Sequence, residues 1–168
     1  MIWPAQVLVI ARESEDRDNL RKTLAASGTQ VFCYATLLEA ESFLSGQAVN
    51  AIFAEVQLPD GDFQALRTEV EHFQQGVPIV ALARNMDWNI YLASMASGAF
   101  DCLSLPASTL EIKRVLWSAL NAFYTEPRPE HVASGAAESV LSTRQSFFSW
   151  AEVMLSLGGE MCSTPAKS

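Results

Sequence analysis

Glu55 is the residue of this sequence whose position most directly suggests chemistry. It closes the apolar run AIFA, just before the turn sequence Leu-Pro-Asp-Gly. A carboxylate at the end of a buried strand can serve as a nucleophile, as a metal ligand or as one half of an ion pair. The residues that surround Glu55 in space decide between these roles.

Other candidates for chemistry are weak. His72 and His131 have no serine or cysteine at a spacing that is typical of a catalytic triad, so each is expected to be a surface imidazole. The cysteines have neither CxxC spacing nor a nearby histidine pair, which argues against a zinc site and against a disulfide framework: Cys33, Cys102 and Cys162. No Gly-rich phosphate loop occurs.

Five short apolar runs alternate with segments of helical periodicity. Strands are expected at residues 6–10, 30–34, 50–54, 78–82 and 101–105. The first helical segment covers residues 15–28 and stops at Gly28. The other helices are expected to follow the capping residues Thr36, Asp62, Asp87 and Ser108 and to end near residues 44, 73, 97 and 123. The pattern predicts a βα unit repeated five times.

Strands as apolar as these are typical of a parallel sheet that is covered on both faces. Right-handed crossovers then predict a doubly wound α/β sandwich. In such sheets, ligands bind beyond the carboxyl ends of the strands. Glu55 lies at one of those ends.

Composition limits the function classes. The chain has 168 residues, 49% of them hydrophobic, which suits one ordinary core. A net charge of −8 without a basic patch argues against nucleic acid or an anionic membrane as partner. No apolar run approaches the ~20 residues of a membrane span, and the first residues lack a signal-peptide pattern. We expect a cytoplasmic protein with reduced thiols.

Four blocks of the sequence carry a family resemblance: VLVIARESEDRDNL, EVQLPDGD, PIVALA and SGAFDCLSLP. In this order and spacing, they resemble the receiver domain of bacterial two-component response regulators, over residues of about 5 to 124. The resemblance implies a five-stranded flavodoxin-like fold. Members of that family accept a phosphoryl group on an aspartate of the third strand, beside Mg²⁺ held by an acidic pair after the first strand.

Carried over residue by residue, the resemblance exposes a consistent departure. The phosphorylated aspartate falls on Glu55, and the acidic pair falls on Ala11 and Arg12, with only the neighbouring Glu13 still acidic. The Ser or Thr that the family has on its fourth strand falls on Ala83. On the fifth strand, the switch aromatic falls on Cys102 and the lysine falls on Leu105. Every position that handles phosphate or metal has changed type.

These changes remove what phosphoryl chemistry needs, namely oxygen ligands for Mg²⁺ and fixed cations around the phosphoryl oxygens. We therefore predict a degenerate receiver (pseudo-receiver) without enzymatic activity, metal or cofactor. Its predicted function is that of a phosphorylation-independent protein-interaction module in signal transduction or transcription control. The alternative is a phosphorelay receiver with weak residual metal or phosphate binding through Glu13, Glu55 and Asp60.

Two roles for Glu55 follow from its charge. Its longer side chain can place a carboxylate where a phosphoryl group would sit and so mimic the phosphorylated state. Alternatively, Glu55 pairs with Arg12 and keeps the pocket closed, since partly buried charges need partners. We predict contact between Arg12 and Glu55, in place of the metal and the phosphoryl group.

The composition changes after residue 124. Residues 125–139 are rich in proline, glycine and small residues and are expected to be a linker. Within residues 140–168, Phe147, Ala151 and Met154 recur at helical spacing, which predicts a short amphipathic helix before a flexible tail. This helix either docks on the receiver-like domain of the same chain or serves as a partner-binding or dimerising segment. The chain can also be a fragment of a longer regulator.

We expect the working surface on the fourth helix, the fifth strand and the fifth helix, the face that the resembled family uses for dimers and partners. On the fifth helix, an apolar stripe for the core leaves Lys113, Arg114 and Trp117 outside. On the fourth helix, the pattern predicts one buried and one outward set: Trp88, Leu92 and Met95 inside, and Ile90, Ala93 and Ser97 outside. The expected partner is a kinase, regulator or output protein, or a second copy. Alternatively, Trp117 packs under the tail helix.

Overall fold

The fold is taken from a computed structural model, which describes residues 4–126. Its strands are β1 (Gln6–Ile10), β2 (Gln30–Tyr34), β3 (Ala51–Glu55), β4 (Gln57–Leu58), β5 (Gly61–Asp62), β6 (Ile79–Arg84) and β7 (Asp101–Leu105). Its helices are α1 (Glu15–Ala26), α2 (Leu37–Leu44), α3 (Phe63–Phe73), α4 (Trp88–Ala96) and α5 (Thr109–Thr125). The amphipathic helix and tail expected at residues 140–168, and the linker beyond Glu126, lie outside the described residues.

The main sheet is fully parallel, with the strand order β2-β1-β3-β6-β7. This is the doubly wound sheet that the alternating pattern predicts, so the expected fold class is confirmed. The sequence pattern did not predict β4 and β5, which form a small antiparallel hairpin where only a turn was expected.

Side chains of the central strands point alternately to the two faces of the sheet and pack into two separate cores. Val7, Val9 and Phe53 face the side covered by α1 and α5, and Leu8 and Ile52 face the opposite side, which α2 and α3 cover. Because both faces are buried, β1 and β3 are apolar at almost every position. The candidate site therefore lies at the ends of strands that are buried on both faces.

Side-chain caps define where the helices begin. Thr36, Asp62, Asp87 and Ser108 each accept a hydrogen bond from a backbone N–H in the first turn, as the sequence predicts. Ser14 does the same for α1 through the N–H of Arg17, at 3.2 Å. Each cap fixes the entry from a strand end into a helix. Within residues 4–126, no helix is both long and apolar enough to cross a membrane.

Candidate functional site

The carboxyl ends of β1, β3 and β6 meet at one edge of the sheet, because these parallel strands are neighbours. β1 leads directly into Ala11 and Arg12, and β3 ends at Glu55, which is in register with Leu82 of β6. The structure thus brings together residues that are more than forty positions apart in the sequence, at the place where this fold binds ligands.

Arg12 and Glu55 make the central contact of this edge. The Nε of Arg12 donates to Oε2 of Glu55 at 3.1 Å, and the backbone N–H of Arg12 donates to the same oxygen at 3.3 Å. The Glu55 side chain is 8% exposed and that of Arg12 is 64% exposed. A buried carboxylate needs donors, and one residue supplies two of them. The predicted contact between Arg12 and Glu55 is confirmed.

Two further arginines pair with the other carboxylates near this edge. Arg17 lies 3.5 Å from Glu13 and also donates to the backbone carbonyl of Ala11 at 3.1 Å. Arg84 lies 3.0 Å from Asp16. Within the described part of the chain, no three His, Cys, Asp or Glu side chains are grouped so as to hold a metal ion. Glu13, Asp16 and Glu55 thus each form an ion pair with an arginine.

Sequence reasoning missed the pair between Asp16 and Arg84. The spacing of Glu13 and Arg17, four residues apart, is visible in the sequence as a pattern that favours a pair. Asp16 and Arg84 come from α1 and β6 and meet only because both elements border the same edge. No local pattern could have indicated that contact.

The positions that correspond to the family's phosphate-responsive residues are apolar or half-buried. Ala83 and Leu105 are 6% and 5% exposed. Their side chains are hydrocarbon, so neither offers a hydroxyl or a cation to a ligand. Cys102 is half-buried and contacts the hydroxyl of Ser94 on α4. Burial and the nearby Asp101 raise the pKa of the Cys102 thiol, against a smaller opposing effect of Ser94. The raised pKa favours the protonated thiol at neutral pH.

Asp60 has a structural task that the sequence did not predict. It sits at the tip of the hairpin formed by β4 and β5, and its two carboxylate oxygens accept hydrogen bonds from the N–H groups of Leu37 at 2.8 Å and Leu38 at 2.9 Å. These backbone hydrogen bonds lower the pKa of Asp60. The carboxylate of Asp60 thus holds the first turn of α2.

Replacing Asp60 by alanine is expected to lower the free energy of unfolding by about 1 kcal/mol at neutral pH, because two N–H groups of α2 lose their acceptors. Asp60→Asn keeps one acceptor oxygen and should cost less. The folded pKa lies below the unfolded value of 3.8, so this stabilisation is present above pH 3.8 and is lost as the pH falls through the folded pKa.

Urea denaturation of wild type and Asp60→Ala at neutral and at acidic pH checks this prediction. The two proteins should converge in stability at acidic pH. A stability difference that persists below the folded pKa would mean that the carboxylate is not its source.

The predicted orientation of α4 is wrong. Trp88, Leu92 and Met95, expected to be buried, are 70%, 47% and 36% exposed, and the one buried residue of α4 is Ser94. Ile90, expected outside, is half-buried. Because α4 has apolar residues around most of its circumference, periodicity could not decide which side faces the sheet.

Ser97, also expected outside, is half-buried at the carboxyl end of α4, whereas Ala93 is exposed as predicted. Trp88 and Tyr91 stack on each other, with ring centroids 5.5 Å apart. α4 therefore presents an exposed apolar face of Trp88, Leu92 and Met95, on a helix without a charged residue.

The predicted orientation of α5 is confirmed. Its buried stripe consists of Ile112, Val115, Leu116 and Ala119. Trp117 is 66% exposed, and Lys113 and Arg114 are exposed beside it. An exposed aromatic ring with cations beside it is typical of residues that anchor interfaces.

The chain is similar to known response regulators. No protein-family model matches it. The DNA-binding transcriptional regulator NtrC of Escherichia coli K12 is 21% identical over 126 residues, which are 75% of this chain and 27% of NtrC. The chain thus corresponds to about a quarter of the curated relative's length.

Two solved receiver domains have the same fold. The receiver domain of the sensor histidine kinase PA1611 from Pseudomonas aeruginosa, solved with a magnesium ion in its active site cleft, superposes with a TM-score of 0.64 at 21% identity over 71% of this chain and 99% of that one. The beryllofluoride-activated NtrC4 receiver domain dimer superposes with a TM-score of 0.65 at 20% identity, over 70% of this chain and 98% of that one. Residues 4–126 therefore have the fold of a response-regulator receiver domain, as the sequence predicts.

Proposed function

We propose that this receiver fold is a phosphorylation-independent protein-interaction module in signal transduction or transcription control. The contact between Arg12 and Glu55 carries the proposal. It places a guanidinium against the carboxylate at the position that corresponds to the family's phosphorylated aspartate. The site is then filled by charges of the chain itself, and a metal ion would have to compete with Arg12 for Glu55.

The geometry gives little support to the alternative, a phosphorelay receiver with weak residual binding. Glu13 is 85% exposed and pairs with Arg17, and Asp60 is bound to the N-terminus of α2. The third residue of that alternative, Glu55, is bound to Arg12. Each of the three carboxylates thus has a partner elsewhere, and they do not form a common ligand set.

Incubation of the chain with a small-molecule phosphodonor and Mg²⁺ tests this proposal. The intact mass is expected to stay unchanged, because Arg12 occupies the carboxylate of Glu55, and Ala83 and Leu105 supply neither the hydroxyl nor the cation that stabilises a transferred phosphoryl group. A phosphorylated Glu55 or Asp60 in the mass spectrum would refute phosphorylation independence. Titration with Mg²⁺, followed by tryptophan fluorescence, should likewise show no saturation at millimolar metal.

A variant with the family's residue types restored serves as the positive control. It combines Ala11→Asp, Arg12→Asp, Glu55→Asp, Ala83→Thr and Leu105→Lys. If it folds, it should bind Mg²⁺ and gain a phosphoryl group under the same conditions, which would show that the assay detects a competent site on this backbone.

The interaction surface of the proposed module consists of the exposed residues of α4 and α5, on the helices that flank the edge strand β7. α4 contributes Trp88, Leu92 and Met95, and α5 contributes Trp117 with Lys113 and Arg114 on the preceding turn. Exposed apolar side chains that include two tryptophans suit a protein partner or a second copy. The dimer of the NtrC4 receiver domain shows that a protein of this fold can self-associate.

A further inference from the structure

α4 is anchored differently from the other four helices of the described residues. Each of those helices buries at least two aliphatic or aromatic side chains, such as Leu20 and Leu24 on α1 or Leu66 and Val70 on α3. α4 fully buries only Ser94. Since helices in proteins are held mainly by a buried apolar face, α4 should open at a lower free energy than its neighbours.

The carboxyl end of α4 is held by a side chain of α3. Arg67 donates from Nη1 to the backbone carbonyl of Gly98, just after α4. The same guanidinium is oriented by Glu71, whose Oε1 accepts from Nε at 3.0 Å and from Nη2 at 2.6 Å. Arg67 therefore uses its planar fork to tie two elements together, with only 32% of its side chain exposed.

Gly98 suits this contact in two ways. Its φ of +90° lies in the region where side chains are strained, and a Cβ at this position would overlap the guanidinium of Arg67. Glycine thus allows both the turn that ends α4 and the approach of Arg67. The two residues form one structural unit across α3 and α4.

We propose that Arg67 is a latch that holds α4 on the domain, and that α4 opens as a local unit when Arg67 releases the carbonyl of Gly98. α3 is the fixed side of the latch because Phe63, Leu66 and Val70 bury it in the core. α4 is the movable side and carries the exposed face of Trp88, Leu92 and Met95. The latch does not depend on the proposed function, because its opening can be measured in the isolated chain.

Hydrogen exchange followed by mass spectrometry on the full chain tests the latch. Arg67→Gln is expected to speed the exchange of amides in residues 88–99 roughly tenfold or more, the effect of losing a charge-assisted hydrogen bond. The amides of α1 and α5 should keep their wild-type rates. Arg67→Lys keeps the cation but replaces the planar fork by a single ammonium group, so it should speed exchange in the same segment to a smaller extent.

Two controls separate the latch from general effects of charge. Glu71→Gln leaves the donor to Gly98 in place, so it should speed the exchange of the α4 amides less than Arg67→Gln does. Arg21→Gln removes an exposed arginine of α1 and should leave α4 unchanged. Wild-type exchange of α4 in both Arg67 variants, or an equal acceleration in all helices, would overturn the proposal.

Discussion

Replacing Arg12 by aspartate is expected to lower the free energy of unfolding by about 2–3 kcal/mol at neutral pH. The side chain of Glu55 is 8% exposed, and Arg12 supplies its side-chain donor. The substitution removes that donor and adds a second negative charge beside a buried carboxylate. Loss of one partner from a buried pair costs about 3–5 kcal/mol, and the exposure of Arg12 reduces that value.

Added Mg²⁺ should restore part of the stability of Arg12→Asp and leave wild type unaffected. In the variant, two carboxylates approach each other without a cation, which is an arrangement that attracts a hard divalent ion. Urea denaturation with and without Mg²⁺, followed by circular dichroism, measures both effects. If Mg²⁺ stabilises Arg12→Asp but not wild type, Arg12 occupies the position that Mg²⁺ has in the resembled family.

Arg84→Asp is the matched control, because it also reverses the charge of an arginine at this edge. The carboxylate of its partner Asp16 is 22% exposed, against 8% for Glu55, so it depends less on its arginine for solvation. Arg84→Asp is therefore expected to lower the free energy of unfolding by less than Arg12→Asp does. Equal losses in the two variants, or equal stabilisation of wild type by Mg²⁺, would contradict the role given to Arg12.

Trp117→Glu is expected to abolish dimerisation or partner capture while the fold stays intact. The side chain of Trp117 is 66% exposed, so its loss leaves no cavity in the core. An anchoring tryptophan at the centre of an interface contributes at least about 2 kcal/mol, which corresponds to a roughly thirtyfold change in Kd. Analytical ultracentrifugation and pull-down from the native lysate provide the two measurements.

Leu38→Glu controls for the introduction of a charge at an exposed apolar site. Leu38 is 70% exposed at the start of α2, on an element outside the proposed surface. It should behave as wild type in both measurements. If Trp117→Glu and wild type are identical monomers with identical pull-down profiles, α5 does not belong to the interaction surface.

The sequence by itself determined the order and type of the main elements. Alternation of apolar runs with helical periods placed all five strands of the sheet to within two residues of the observed bounds. Capping residues such as Thr36 and Asp62 placed the helix starts, because their effect is local and depends only on the next three residues. Residue types alone also predicted that the site departs from the pattern of the receiver family that the chain resembles.

Tertiary structure alone decided the orientation of α4 and the distant partners of Asp60, Arg67 and Arg84. A helix that is apolar around its circumference has no preferred face until a sheet and its neighbours are in place, which is why Trp88 and Leu92 were assigned to the wrong side. Asp60, Arg67 and Arg84 bind groups on other elements, 22, 31 and 68 positions away respectively. Such contacts are set by the crossing of elements in space, because no local energy term connects residues so far apart in the chain.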